Sequence, residues 1–174
     1  MKEIRDLVVL AYGAFGGAIS GKTNLQKKVY FLGVGLGKES ELGYRAHYYG
    51  PYSPAVAEAN SELKSMGYLS ECSTTWGSDH RGFEIARYDY DLTDEGLRLL
   101  IRKKKEHSDM WRKIERLSDM MKSAGDLNYW ELSIAAKAYF ILRKHGGQAS
   151  LEQIQKSASP TSALLATELV ISTG

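Results

Sequence analysis

Eight consecutive residues, Gly16-Gly17-Ala18-Ile19-Ser20-Gly21-Lys22-Thr23, satisfy the pattern G-x-x-x-x-G-K-[ST] in full. In a nucleotide-binding protein this pattern wraps backbone N–H groups and a lysine around phosphates and offers a hydroxyl to Mg²⁺. The chemistry needs a buried apolar strand running into the loop. Residues 4–15 instead place Ile4, Leu7, Val8, Ala11, Tyr12 and Phe15 at helical spacing, with Arg5 and Asp6 inside the run. No acidic residue closes an apolar strand either; Asp89 and Asp91 lie in an alternating stretch. Nucleotide binding through Gly16–Thr23 is therefore the weakest of three functional readings, and the segment reads as a glycine-rich turn ahead of a helix.

Other catalytic chemistry has little support. His47, His80, His107 and His145 fall on different predicted elements, and none has a metal-ligand partner four residues on or a cysteine nearby. The single cysteine, Cys72, excludes an internal disulfide framework and a multi-cysteine metal site. No nucleophile elbow or triad pattern is readable. The expectation is a protein that is not an enzyme and carries neither metal nor cofactor.

The elements that would position the remaining polar residues follow from periodicity. After the first helix, Thr23 with Gln26 forms a capping-box pattern opening a second helix with Leu25, Val29, Leu32 and Leu36 inward; Gly33, Gly35 and Gly37 predict fraying at its end. Tyr44, Ala46 and Tyr48 alternate with Arg45 and His47 as in a short strand, and the dense tyrosines of 44–52 read as core around a Gly50-Pro51 turn, with a peptide- or base-stacking platform as the minority reading. Ser53 and Pro54 then start a third helix, with Val56, Ala59, Leu63 and Met66 inward and Gly67 as its stop. Strands over 68–72 and 83–92 flank a polar tip, and Thr93-Asp94-Glu95 opens the next helix.

This order predicts a mainly α fold with a small β-hairpin (α+β): a winged helix-turn-helix over residues 1–92, then a helical extension over 93–174. In the extension, Leu97, Leu100 and Ile101 mark one face, and Trp111, Ile114, Leu117 and Met121 a rotated one, so a break is expected near Ser108-Asp109. Asn128 with Glu131, and Ser150 with Gln153, resemble further helix starts, which suggests a second, wingless helix-turn-helix unit. Dimerisation through 97–121 is the expected assembly. With no ~20-residue apolar run, no signal sequence and no disulfides, the expected setting is the cytoplasm, away from membranes.

Two segments carry a family resemblance. Gly21-Lys22-Thr23-Asn24-Leu25-Gln26-Lys27-Lys28-Val29-Tyr30-Phe31-Leu32 resembles the opening of YwgA-like prokaryotic proteins, which are similar in style to the Panacea domain of antitoxins. Tyr48-Tyr49-Gly50-Pro51-Tyr52-Ser53 resembles the turn of the same group, and the likeness continues to Leu69, covering residues 20–70. It extends moderately to Leu92–Gly96 and faintly to 135–142 and 150–154. The resemblance implies a winged-helix-like fold with regulatory or defence-associated roles, and it supplies no catalytic residues.

A winged helix makes a non-enzymatic DNA-binding regulator of transcription or defence the first expectation, with duplex DNA as partner and the 54–66 helix in the major groove. The candidate DNA contacts are Lys22, Lys27, Lys28, Asn60, Ser61, Lys64, His80, Arg81 and Arg87. Charge argues against this reading. Residues 1–92 hold 10 basic and 11 acidic side chains and residues 93–174 hold 13 and 10, so the chain's net +2 sits in its second half. Phosphate neutralisation dominates DNA affinity, and the reading half is slightly acidic. The competing expectation is an antitoxin-like or adaptor module that binds a protein. Its candidate contacts are Phe31 and Val34, opposite the Leu25/Val29 stripe, together with Trp76 at the hairpin tip and Trp111.

Overall fold

A computed structural model describes residues 2–78, 84–123, 125 and 129–144. Helix α1 (Lys2–Ala14) leads into a short strand β1 (Ala18–Ser20), helix α2 (Lys22–Leu36), a single turn α3 (Glu39–Leu42) and helix α4 (Pro54–Ser65). Strands β2 (Leu69–Ser78) and β3 (Glu84–Leu92) follow, then helices α5 (Asp94–Glu106), α6 (Ser108–Ser123) and α7 (Tyr129–Lys144). Among the described residues the chain is mainly helical with one small antiparallel sheet, strand order β1-β3-β2.

Helix α1 is the hub. Every residue from Asp6 to Tyr12 is buried, so the helix is covered all round rather than along the single stripe its apolar spacing indicates. It packs against α2, α4, α5 and α6. One core cluster joins Leu7–Tyr12 to Leu25, Val29, Val56, Leu63 and Tyr90, and also to Leu99, Leu100 and Ile114. Core residues on both sides of position 92 thus belong to the same cluster.

Strand β1 occupies the segment that the sequence presents as a turn. Ala18, Ile19 and Ser20 pair with Asp91, Tyr90 and Asp89, and Ile19 is buried. A phosphate loop would need a parallel strand where α1 stands, so the context of that motif is absent. The hairpin is longer than periodicity indicates: β2 runs through the polar residues to Ser78, with a register irregularity between Thr75 and Ser78. Its length comes from ladder hydrogen bonds, which threonine and serine support as well as apolar residues do.

Several local expectations hold. Ser53 Oγ accepts from Val56 N at 3.1 Å with Pro54 next to it, Thr93 Oγ1 accepts from Gly96 N at 3.1 Å, and the α5–α6 break falls at His107. Others need correction. The second helix starts at Lys22 with Gly21 as its cap, so Thr23 and Gln26 make no capping box. Its glycines do not fray it. A Cβ at Gly33 would overlap Leu42, and one at Gly35 would overlap Leu117, so these positions admit neighbouring side chains. Met66 is 51% exposed at the C-cap of α4. On α5 the buried face is Leu99, Leu100 and Lys103, leaving Leu97 and Ile101 exposed. Among the described residues no helix is long and apolar enough to cross a membrane. The helix starts at Asn128 and Ser150 lie outside the described residues.

Candidate interaction surface

The predicted strand over 44–48 is instead a compact loop. A lone antiparallel bridge joins Arg45 to Tyr52, with N–H···O bonds of 2.9 Å in both directions, and Gly50 N donates to His47 O at 2.9 Å. Alternation arose from aromatic and basic residues placed around a turn, with too few partners to extend a ladder.

Helix α2 holds this loop from beneath. The Gln26 carboxamide is buried and brackets Ser53: Nε2 donates to Ser53 O and Oε1 accepts from Ser53 N, both at 2.9 Å. Lys27 is 2% exposed and donates from Nζ to Pro51 O at 2.7 Å. Burial lowers the Lys27 ammonium from its ordinary value to about 8. Ser53 Oγ donates to Leu42 O at 2.5 Å, and Tyr44 Oη donates to Gln26 O at 2.9 Å. Gly50 is buried at positive φ between Lys27 and the α7 backbone at Ser133, where any side chain would crowd both.

On the outer side of the pinned backbone the aromatic rings face solvent. Tyr48 is 68% and Tyr49 47% exposed, and their rings meet edge to face at 4.9 Å. His47, also exposed, lies 5.3 Å from the half-buried Tyr52 ring and 6.4 Å from Tyr49. Of the 44–52 tyrosines expected in the core, only Tyr44 and Tyr52 are even half-buried. Four rings packed on each other over a braced backbone make a preorganised contact surface, of the kind that supplies large amphipathic area at small entropic cost.

Of the predicted DNA contacts, the fold brings Lys22, Asn60, Ser61 and Lys64 around one cleft and places Lys27, Lys28 and Arg87 elsewhere. Lys27 and Asn60 are inside, Asn60 accepting the Tyr12 hydroxyl proton at 2.7 Å, so neither reaches a phosphate or a base. Lys64 is exposed but bonded to Glu71 at 3.1 Å, and Arg87 is bonded to Asp89 at 2.9 Å. The Glu71 carboxyl is held below its ordinary range, first by that Lys64 bond. Lys22 stands 3.7 Å over the Tyr88 ring and Lys28 4.4 Å over Phe15. Ser61 is exposed on α4. His80 and Arg81 lie outside the described residues.

The predicted protein contacts change as well. Phe31 and Val34 are half-buried, and Phe31 lies 6.4 Å from the Tyr139 ring of α7, which packs on this side of α2. The second apolar face of that helix is thus covered by the chain's own second half. Trp111 is half-buried against the main core, with Lys104 Nζ 3.8 Å over its ring. Trp76 belongs to β2 by its backbone, and its side chain is not among those described.

One charged cluster escaped the sequence. Asp6, on α1, meets Lys103 Nζ at 3.0 Å and His107 Nε2 at 3.0 Å, and Lys103 also binds Glu106 at 2.6 Å. Asp6, Glu106 and His107 converge closely enough to hold a cation, but the Lys103 ammonium sits between the two carboxylates. The Glu106 bond, then Asp6, raises the Lys103 pKa. The group is an ion-pair clasp fastening α1 to the α5–α6 corner.

Protein-family models and curated proteins were compared with the chain, and none matches.

Proposed function

We propose that residues 2–92 form a winged helix-turn-helix that acts without catalysis, by binding a protein through the tyrosine loop in the manner of an antitoxin-like or adaptor module. Support for the fold is the order α1-β1-α2-α3-α4-β2-β3 with sheet order β1-β3-β2, in which the strand after the first helix pairs with the return strand of the hairpin. The YwgA-like and Panacea-like resemblance of residues 20–70 agrees with both the fold and the mode of action. The observation that carries the function is the exposed Tyr48–Tyr49 pair on a backbone braced by Gln26 and Lys27. Tyrosines with this setting are typical interface anchors.

Duplex DNA is the second reading, favoured by the polar outward face of α4 (Glu58, Ser61, Lys64, Ser65) lying in the helix that reads bases in such folds. A salt titration of binding to random duplex separates the two. The protein-binding reading predicts weak affinity and a shallow dependence of log K on log salt. A slope equivalent to six or more phosphate contacts, the low end for a committed DNA binder at roughly 6–10, would reverse the order of the readings.

A further inference from the structure

An open cleft of about 680 Å³ lies between the second half of α2, the start of the 44–52 loop and the end of α7, within the roughly 300–1,000 Å³ of small-molecule sites. Tyr30 of α2 lines it and is 1% exposed, yet its hydroxyl meets no hydrogen-bond partner among the described residues. Its ring is held edge to face by Tyr44 at 4.9 Å and Phe140 at 6.2 Å, both cleft residues. The hydroxyl end points the same way, since Glu39 and Arg143, whose charges act on it, also line the cleft. Burial first, then the Glu39 carboxylate, holds the Tyr30 pKa well above its ordinary value, so the hydroxyl keeps its proton and stands ready as a donor. A buried donor without an acceptor is costly, and an acceptor arriving through the cleft recovers that cost.

The walls indicate what kind of acceptor fits. Arg45, Arg143 and Lys144 face a single carboxylate among the described lining residues, that of Glu39, which Arg143 binds at 2.8 Å. Three cations against one anion favour a negatively charged ligand. With Glu39 close to the hydroxyl, a doubly charged phosphate is repelled there more than a singly charged carboxylate. Tyr44 and Phe140 add aromatic surface, against which a planar ring packs edge to face or offset. The Tyr44 hydroxyl already donates to Gln26 O at 2.9 Å, which fixes that wall.

We propose that this cleft binds a small aromatic carboxylate, its carboxylate accepting from the Tyr30 hydroxyl with Arg45 and Arg143 alongside and its ring against Tyr44 and Phe140. The cleft shares Tyr44 and Arg45 with the tyrosine loop, but the proposal rests on Tyr30 and not on what the exposed Tyr48 and Tyr49 rings bind.

The test is calorimetric titration of the full chain, residues 1–174, with benzoate and, separately, with cyclohexanecarboxylate and inorganic phosphate. Saturable binding of benzoate at millimolar concentration or below is expected, tighter than cyclohexanecarboxylate, with no saturable binding of phosphate. Tyr30→Phe removes one oxygen and leaves the packed ring. The melting temperature should hold or rise, because the lost hydroxyl had no partner, while benzoate affinity falls about tenfold. Arg45→Gln, at an exposed position, should weaken benzoate several-fold and serves if Tyr30→Phe does not fold. The proposal is overturned if benzoate does not bind the native chain saturably, if phosphate or cyclohexanecarboxylate binds as tightly as benzoate, or if Tyr30→Phe and Arg45→Gln keep the native affinity.

Discussion

The outward face of α4 and the loop just ahead of it are neighbours with opposite electrostatic fates. On and beside α4 most charged side chains are occupied: Lys64 by Glu71, Glu62 by Arg5 at 3.3 Å, and Arg87 on β3 by Asp89. In the loop, by contrast, the Pro51 and Ser53 backbone groups bond inward to Lys27 and Gln26, Ser53 Oγ bonds Leu42 O, Lys137 of α7 reaches Tyr48 O at 3.4 Å, and the Tyr48 and Tyr49 rings are left facing out. The comparison teaches that availability, more than residue type, decides what a surface can bind. A lysine already paired contributes little to phosphate binding, whereas an exposed ring on a rigid backbone loses little entropy on contact.

The largest effect should come from the rings themselves. Tyr48→Ala and Tyr49→Ala should each cost about 2 kcal/mol of partner affinity, roughly thirtyfold, with thermal stability within about 0.5 kcal/mol of the native chain. Equal losses in affinity and stability would mean that the rings serve folding instead. Next in size is the brace. Gln26→Leu strands the Ser53 N–H and C=O, and denaturant unfolding should show a loss of about 1–2 kcal/mol, while Lys64→Ala on the neighbouring face should cost less than about 1 kcal/mol.

Lys27 sharpens the contrast through pH. Its folded pKa is about 8 against an ordinary 10.5, so between those values the unfolded chain binds more protons than the folded one. Stability contributed at this site therefore rises as pH climbs from about 8 to 10.5, and below that window the buried charge carries its full penalty. Denaturant midpoints for native and Lys27→Met proteins across this range should diverge in that direction; parallel curves would place the ammonium in water. The smallest expected effect is at α4. Glu71→Gln frees Lys64, and the salt slope of random-duplex binding should steepen by no more than about one phosphate.

Much of the frame was legible in the chain. Ser53-Pro54 and Thr93 are local capping signals that need no tertiary context, and the hairpin's alternation and the change of helical face near 108 are equally local. Strand β1 was hidden because three residues between glycines carry no periodicity, and their motif points to a different chemistry. The site was hidden for another reason. Tyrosine-rich runs read as core, and exposure depends on which elements arrive above them. One signal was available: Lys27 stands four residues before Phe31 and seven before Val34, on the second apolar face of α2. Recognising that face as covered by the chain's own helices would have placed Lys27 inside it.

The central claim is that the tyrosine loop, and not the α4 face, is the working surface. Its most direct test is affinity purification of the full chain from cells that naturally express it, with retained protein and nucleic acid quantified for three forms: native, Tyr48→Ala/Tyr49→Ala, and Lys22→Ala/Lys64→Ala. The account predicts a protein partner held in stoichiometric amount by the native and lysine-substituted forms and lost from the tyrosine-substituted form. Nucleic acid held by the native and tyrosine-substituted forms, and lost when the lysines are replaced, would contradict it.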